Sequence, residues 1–171
     1  MVAAFLDIET SWERSITIIG IYRAGEGTTQ LVAPRIDRGL LLALLEDVET
    51  LYTYNGGRFD LPVIAAHLGV QLDRRCTHRD LMFDCWKRKW KGGLKAVERR
   101  LGIHRDSEGI DGMAAMRLWA AHERGDTDAL ETLLLYNKED CENLEILAWK
   151  LGLVPAPAST MKLLDPISEN S

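Results

Sequence analysis

The chain has few of the residues that mark a secreted, zinc-bound or membrane protein. Only three cysteines occur in 171 residues, Cys76, Cys85 and Cys141. They are odd in number and none lies in a CxxC pair, so neither a disulfide framework nor a zinc site is suggested. A reducing, cytoplasmic compartment is expected. The four histidines, His67, His78, His104 and His122, have no mutual ligand spacing. No run of about eighteen apolar residues exists, so no membrane span is expected. The residues from Met1 to Asp7 lack a basic stretch followed by a long apolar one. They read as a strand that starts at once, not as a secretory signal. There is no internal repeat.

Hydrophobic residues make up 46% and charged residues 27%, which fits a soluble globular chain and argues against disorder. The length suits one domain with a full core. Net charge is −5, which taken whole argues against a nucleic-acid binder. The distribution is uneven, however. From Gln71 to Arg105 there are eleven basic and four acidic residues, a local +7 that leaves −12 elsewhere. Such a segment is either a solvated helical face or a track for a phosphate backbone. Trp86 and Trp90 stand among Lys87, Arg88, Lys89 and Lys91, which mixes base-stacking and phosphate-binding types.

Residues 2–9 are nearly continuously apolar, the pattern of a central strand buried on both faces. Strands are also predicted at 16–23 and 28–33, with Gly25-Glu26-Gly27 as the turn between them. A helix is expected over 40–48, a short strand over 51–54, and a helix over 61–68 stopped by Gly69. A short strand near 76–77 precedes a helix opening at Asp80. Further helices are expected over 93–101, from Asp111 to about 123, and from 126 or 127 to 150. This order predicts an α/β domain over residues 1–152. Its central sheet is mixed, an antiparallel meander plus parallel strands, and is flanked by helices. Val154-Pro155-Ala156-Pro157 opens a Pro-containing tail over 153–171 that is expected to be poorly ordered.

Asp7 and Glu9 are two apart on the first strand, so both point to one face together with Phe5. Two like charges on a buried face are costly unless protonated or paired with a cation. No Lys or Arg lies nearby in that strand. A hard divalent cation, which takes oxygen ligands, would resolve the conflict. Asp60 follows Tyr54-Asn55-Gly56-Gly57-Arg58-Phe59 and sits where a helix N-cap belongs, before Leu61-Pro62. In the last helix Asp140 falls on the stripe of Leu130, Leu133, Leu144 and Leu147, with Tyr136 one turn before it. Either something pairs with Asp140, or it lines a cleft with Lys138, Glu139 and Glu142 on the outer face. Asp80 is read as a helix cap, and Met113, Met116 and Trp119 as a core stripe.

The segments Phe5-Leu6-Asp7-Ile8-Glu9-Thr10, Asn55-Gly56-Gly57-Arg58-Phe59-Asp60 and Tyr136-Asn137-Lys138-Glu139-Asp140 resemble, in order, the three exonuclease motifs of the DEDD superfamily. The Tyr-x-x-x-Asp form is similar to the DEDDy subclass, which includes proofreading domains of DNA polymerases. The run from Gly93 to Gly102 resembles a segment of YprB-type ribonuclease H-like domains. The resemblance spans roughly residues 2–150. It implies a ribonuclease H-like fold and a two-metal-ion 3′–5′ exonuclease acting on single-stranded DNA or RNA. Asp7, Glu9 and Asp140 would hold one magnesium or manganese ion. Asp7 would bridge to a second, with Asp60 acting largely through waters. Tyr136 would orient the attacking water. Thr10, Asn55 and Phe59 would lie near the scissile end, and Trp12 would stack on a base. The competing expectations are a non-catalytic strand-binding module, an endonuclease on the same fold, and a protein-interaction domain.

Overall fold

A computed structural model describes residues 2–157. β1 (Ala3–Thr10) is the middle strand of a five-stranded sheet ordered β3-β2-β1-β4-β5. β2 (Ile16–Arg23) runs antiparallel to β1, and β3 (Gly27–Val32) antiparallel to β2. β4 (Thr50–Thr53) and β5 (Thr77–Asp80) are parallel additions on the other side. The α-helices are α1 (Arg38–Leu44), α2 (Asp60–Leu68), α3 (Leu81–Lys87), α4 (Leu94–Leu101), α5 (Gly112–Glu123) and α6 (Thr127–Lys150). The mixed sheet flanked by helices is the fold class expected from the sequence.

Strand alternation divides the core into two layers. Ala4, Leu6 and Ile8 face α1 and α2 and bury with Leu41, Leu51 and Ile64. Phe5 faces the other way, stacked 5.0 Å from Tyr52 in a cluster with Leu144 and Leu147 of α6. β2 is buried from Ile16 to Ile21, which accounts for its unbroken apolar run.

Several boundaries differ from the sequence reading. α1 starts at Arg38, because the Asp37 carboxylate caps Gly39 and Leu40. β5 covers Thr77–Asp80, where its backbone pairs with β4. Asp80 does cap α3, accepting from Met82 N at 3.1 Å, and Asp126 caps α6. Leu153 and Val154, at the start of the expected tail, pack against the core. Residues 158–171 of that tail lie outside the described residues. Among the described residues no helix is long and apolar enough to cross a membrane.

Candidate active site

Because Leu6 and Ile8 take one face of β1, Asp7 and Glu9 take the other, opposite α6. One carboxylate oxygen each from Asp7, Glu9 and Asp140 lie within 4.8 Å of one another. The close approach of α6 depends on Gly20, the residue paired with Asp7 on β2. A Cβ there would stand 2.2 Å from Asn137 Oδ1 and 2.7 Å from Cys141 Sγ. With that space open, Asn137 Nδ2 donates to Asp7 Oδ2 at 3.1 Å and to its carbonyl at 3.2 Å. Gln30 Nε2 in turn donates to Asn137 Oδ1 at 2.9 Å, fixing the amide's orientation.

Asp60 joins from α2, but not as the expected cap. Phe59 occupies the cap position and makes no side-chain cap bond, while Asp60 is the first helical residue. Its Oδ1 accepts instead from Ile8 N at 3.1 Å, which ties α2 to the backbone between Asp7 and Glu9. The loop before it is held by Asp80, which accepts from Asn55 N at 2.8 Å and Gly57 N at 3.2 Å. Gly56 passes so near Thr53 that a Cβ would lie 2.3 Å from its Oγ1.

Burial first, and repulsion by neighbouring carboxylates second, raise the pKa of Asp7 and Glu9, and burial dominates at Asp60. Burial pushes Glu9 up to about 8, and the nearby Asp140 charge adds to it. Burial likewise lifts Asp60 to about 7. Asp7 lies well above the usual carboxylate range, first through burial and then through repulsion by Asp140, Glu9 and Asp60. Glu9 Oε1 is buried without a hydrogen-bond partner. An all-oxygen donor set with an orphaned carboxylate oxygen fits a hard divalent cation.

Asp140 differs from the other acids in having two cationic partners. Its Oδ1 accepts from Arg105 Nη2 at 2.5 Å, and its Oδ2 is paired with Lys95 Nζ. Arg105 is buried and also forks onto Glu98, with contacts of 3.0 and 2.7 Å. Glu98, only 1% exposed, accepts a further bond from Asn143 at 3.0 Å. The Lys95 side chain is 24% exposed and its ammonium lies 4.2 Å from the centre of the Tyr136 ring. In the sequence, Lys95 and Arg105 stand out only as members of the basic segment. One signal does point to them: Glu98 is the single acid of α4, set among Lys95, Arg99 and Arg100.

Lys95 and Asp140 border a cleft of about 740 Å³. Asp7, Glu9, Thr10, Asn55, Phe59, Asp60, Tyr136 and Asp140 all line it. Trp12 is not among the lining residues and stands 51% exposed in the β1–β2 turn. Met113 and Met116, expected in the core, border the cleft instead because the first turns of α5 pass its mouth. Only Trp119 of that stripe is buried. Glu139, expected on the outer face of α6, is buried under the loop after α4, where it accepts from Ser107 N at 3.1 Å. The histidines stay outside: His78 bonds Thr53 at 2.9 Å and His67 the Val63 carbonyl at 2.9 Å.

A mixed sheet carrying acids on its central strand, completed from a following helix, defines a ribonuclease H-like protein. Residues 4–151 match the RNase_H superfamily, in its RNase_H_2 branch, and the chain belongs to that superfamily. In structure the chain is similar to the family B DNA polymerase of the hyperthermophilic archaeon Pyrobaculum calidifontis, at a TM-score of 0.70 and 22% identity. That similarity covers 88% of this chain but 24% of the polymerase, so the chain spans about a quarter of its length and the likeness is one of fold. No curated protein matches.

Proposed function

We propose that the chain is a two-metal-ion 3′–5′ exonuclease of the DEDDy type, hydrolysing phosphodiester bonds at the 3′ end of single-stranded DNA or RNA. The observation that carries this reading is the convergence of Asp7, Glu9 and Asp140 around a buried, unpartnered Glu9 oxygen. Membership of the RNase_H superfamily and the likeness to a DNA polymerase support a nucleic-acid substrate. Asp7, Glu9 and Asp140 would hold one magnesium or manganese ion. Asp7 and, through waters, Asp60 would hold another. Bound there, the ions supply a water of lowered pKa and charge neutralisation for in-line displacement at phosphorus.

The side chains do the rest. Asn137 sets the Asp7 carboxylate, and Ile8 N fixes one Asp60 oxygen. Arg105 anchors one Asp140 oxygen, and Lys95, which lines the cleft, pairs with the other. Burial raises the Tyr136 hydroxyl's pKa, so it remains a hydrogen-bond donor and orients the attacking water. Lys95, on its flexible stem, turns from Asp140 to a non-bridging phosphate oxygen when a strand enters. Thr10, Asn55 and Phe59 contact the terminal nucleotide, and Trp12 stacks on a base outside the cleft. All three cysteines are free thiols, which suits a reducing, cytoplasmic location.

The test uses 5′-labelled DNA and RNA strands with magnesium, with manganese and with neither. The expected result is a 3′-end ladder that needs metal and disappears in Asp7→Ala, with closed circles left intact. A ladder that survives that substitution refutes the assignment. One observation favours a second reading, a strand-binding module without turnover: both oxygens of Asp140 already have cationic partners within the chain. Tight strand binding with no product under either metal would select it.

A further inference from the structure

We infer that the outer face of α3, with Phe83 and Trp86 beneath the Arg58 guanidinium, is a stacking platform for the single strand on the 5′ side of the cleft. This rests on the exonuclease reading for the polymer and extends it by naming the strand's path. Phe83 is 40% and Trp86 42% exposed. Their rings meet edge to face, 5.6 Å between centroids. Arg58 lies 5.6 Å from the first centroid and 5.9 Å from the second. Two large aromatics turned to water on one short helix form an apolar patch that calls for a partner.

Charge identifies the partner's chemistry. Arg58, Lys89 and Lys91 have no carboxylate partner among the described residues, and Lys87 has only a 3.4 Å contact with Asp84. The surrounding segment, 71–105, carries +7 in a chain of net −5. Aromatic faces for bases beside unpaired cations for phosphates are the components of a sequence-tolerant single-strand site. The structure also divides the Trp/Lys/Arg run in two. Arg88 donates to the Leu151 carbonyl at 2.8 Å and covers Trp90, which packs on the core. That half holds the fold, while Trp86 faces outward.

The platform adjoins the cleft through two chain neighbours. Phe59, next to Arg58, and Met82, next to Phe83, both line the cleft. A strand with its 3′ end at Asp7 would leave over that shared wall, so the platform receives upstream nucleotides.

The test is binding in EDTA, where hydrolysis plays no part, using 5′-fluorescein oligothymidylates and oligouridylates of about three and about twelve nucleotides. The wild type is expected to favour the longer strand. Phe83→Ala/Trp86→Ala should remove that advantage, weakening the longer strand by roughly five- to 150-fold, the range for losing one base–aromatic stack. Tryptophan quenching by the long strand should fall in Trp86→Phe. Arg58→Ala should weaken binding and reduce the salt slope by about one, which keeps the proposal testable should the double variant fail to fold. Unchanged long-strand affinity in the folded variants overturns the platform. An absent length preference in the wild type also overturns it. A chain that binds strands this way yet degrades none would refute the exonuclease reading alone.

Discussion

Replacing Glu9 by Gln should stabilise the metal-free protein while weakening its response to metal. Glu9 is buried, one of its oxygens has no partner, and its pKa is pushed up to about 8 from an ordinary 4.5. The folded state therefore holds the proton more tightly than the unfolded chain does. Below pH 4.5 both states are protonated and stability is full. As pH climbs to about 8 stability falls, and above that the whole penalty applies. Asp60, lifted to about 7 from 3.8, acts with the same sign. The change at Glu9 converts to a ceiling of ~5 kcal/mol at about 1.4 kcal/mol per pKa unit. Water in the open cleft reduces this, and Gln leaves a polar group in place, so the expected gain is about 1–3 kcal/mol at pH 8. For a domain of this size that corresponds to a Tm rise of roughly 3–10 °C. Thermal melts in EDTA across pH 5–9 should show the wild type losing stability with rising pH and Glu9→Gln following a flatter curve. Added magnesium or manganese should stabilise the wild type, by about 2.7 kcal/mol at a hundred times Kd, and so raise its Tm, with a much smaller rise for the variant. A variant that melts lower than wild type at pH 8 without metal, or a wild type indifferent to both ions, would refute this role for Glu9.

Four other substitutions probe the supports of the site. Gly20→Ala puts a Cβ within 2.2 Å of Asn137 Oδ1, so denaturant melts should show a loss of about 1–3 kcal/mol from overpacking, and strand hydrolysis should fall as Asn137 leaves Asp7. Arg105→Met strands the buried Glu98 charge and should cost about 3–5 kcal/mol. Adding Glu98→Leu should recover much of that stability but not hydrolysis, because Asp140 still lacks its anchor. Lys95→Ala removes the cation paired with Asp140 Oδ2, so the metal concentration giving half the maximal Tm gain should fall. Hydrolysis should fall too if Lys95 serves the phosphate, and a variant with unchanged metal response would mean that Lys95 and metal do not compete.

The parts of the site legible in the sequence are those set by a local period. Asp7 and Glu9 share a face because strand side chains alternate, and Tyr136 and Asp140 share one because they stand a turn apart on α6. The unread parts depend on contacts between elements. Asp60 resembles an N-cap in sequence, yet α2 leans on β1 so that its carboxylate meets Ile8 N. Glu139 lies one residue from Asp140, on the face that the helical period turns to water, but the loop after α4 folds over it. Arg105 reaches Asp140 across 35 residues, and no spacing within either segment encodes that meeting.

The same long-range contacts explain how an acid cluster can exist on a buried strand. β1 itself carries no compensating cation. The compensation comes from α4 and the loop after it, and only on one side. Asp140 is bracketed by Lys95 and Arg105, whereas Glu9 Oε1 has no donor at all. Had the cluster served only to hold the fold, the most stable solution would be to satisfy every oxygen, as the Arg105–Glu98–Asn143 network does for Glu98. Leaving the unsatisfied oxygen beside a cleft, among carboxylates that repel one another, concentrates the remaining negative potential where an incoming cation can reach it.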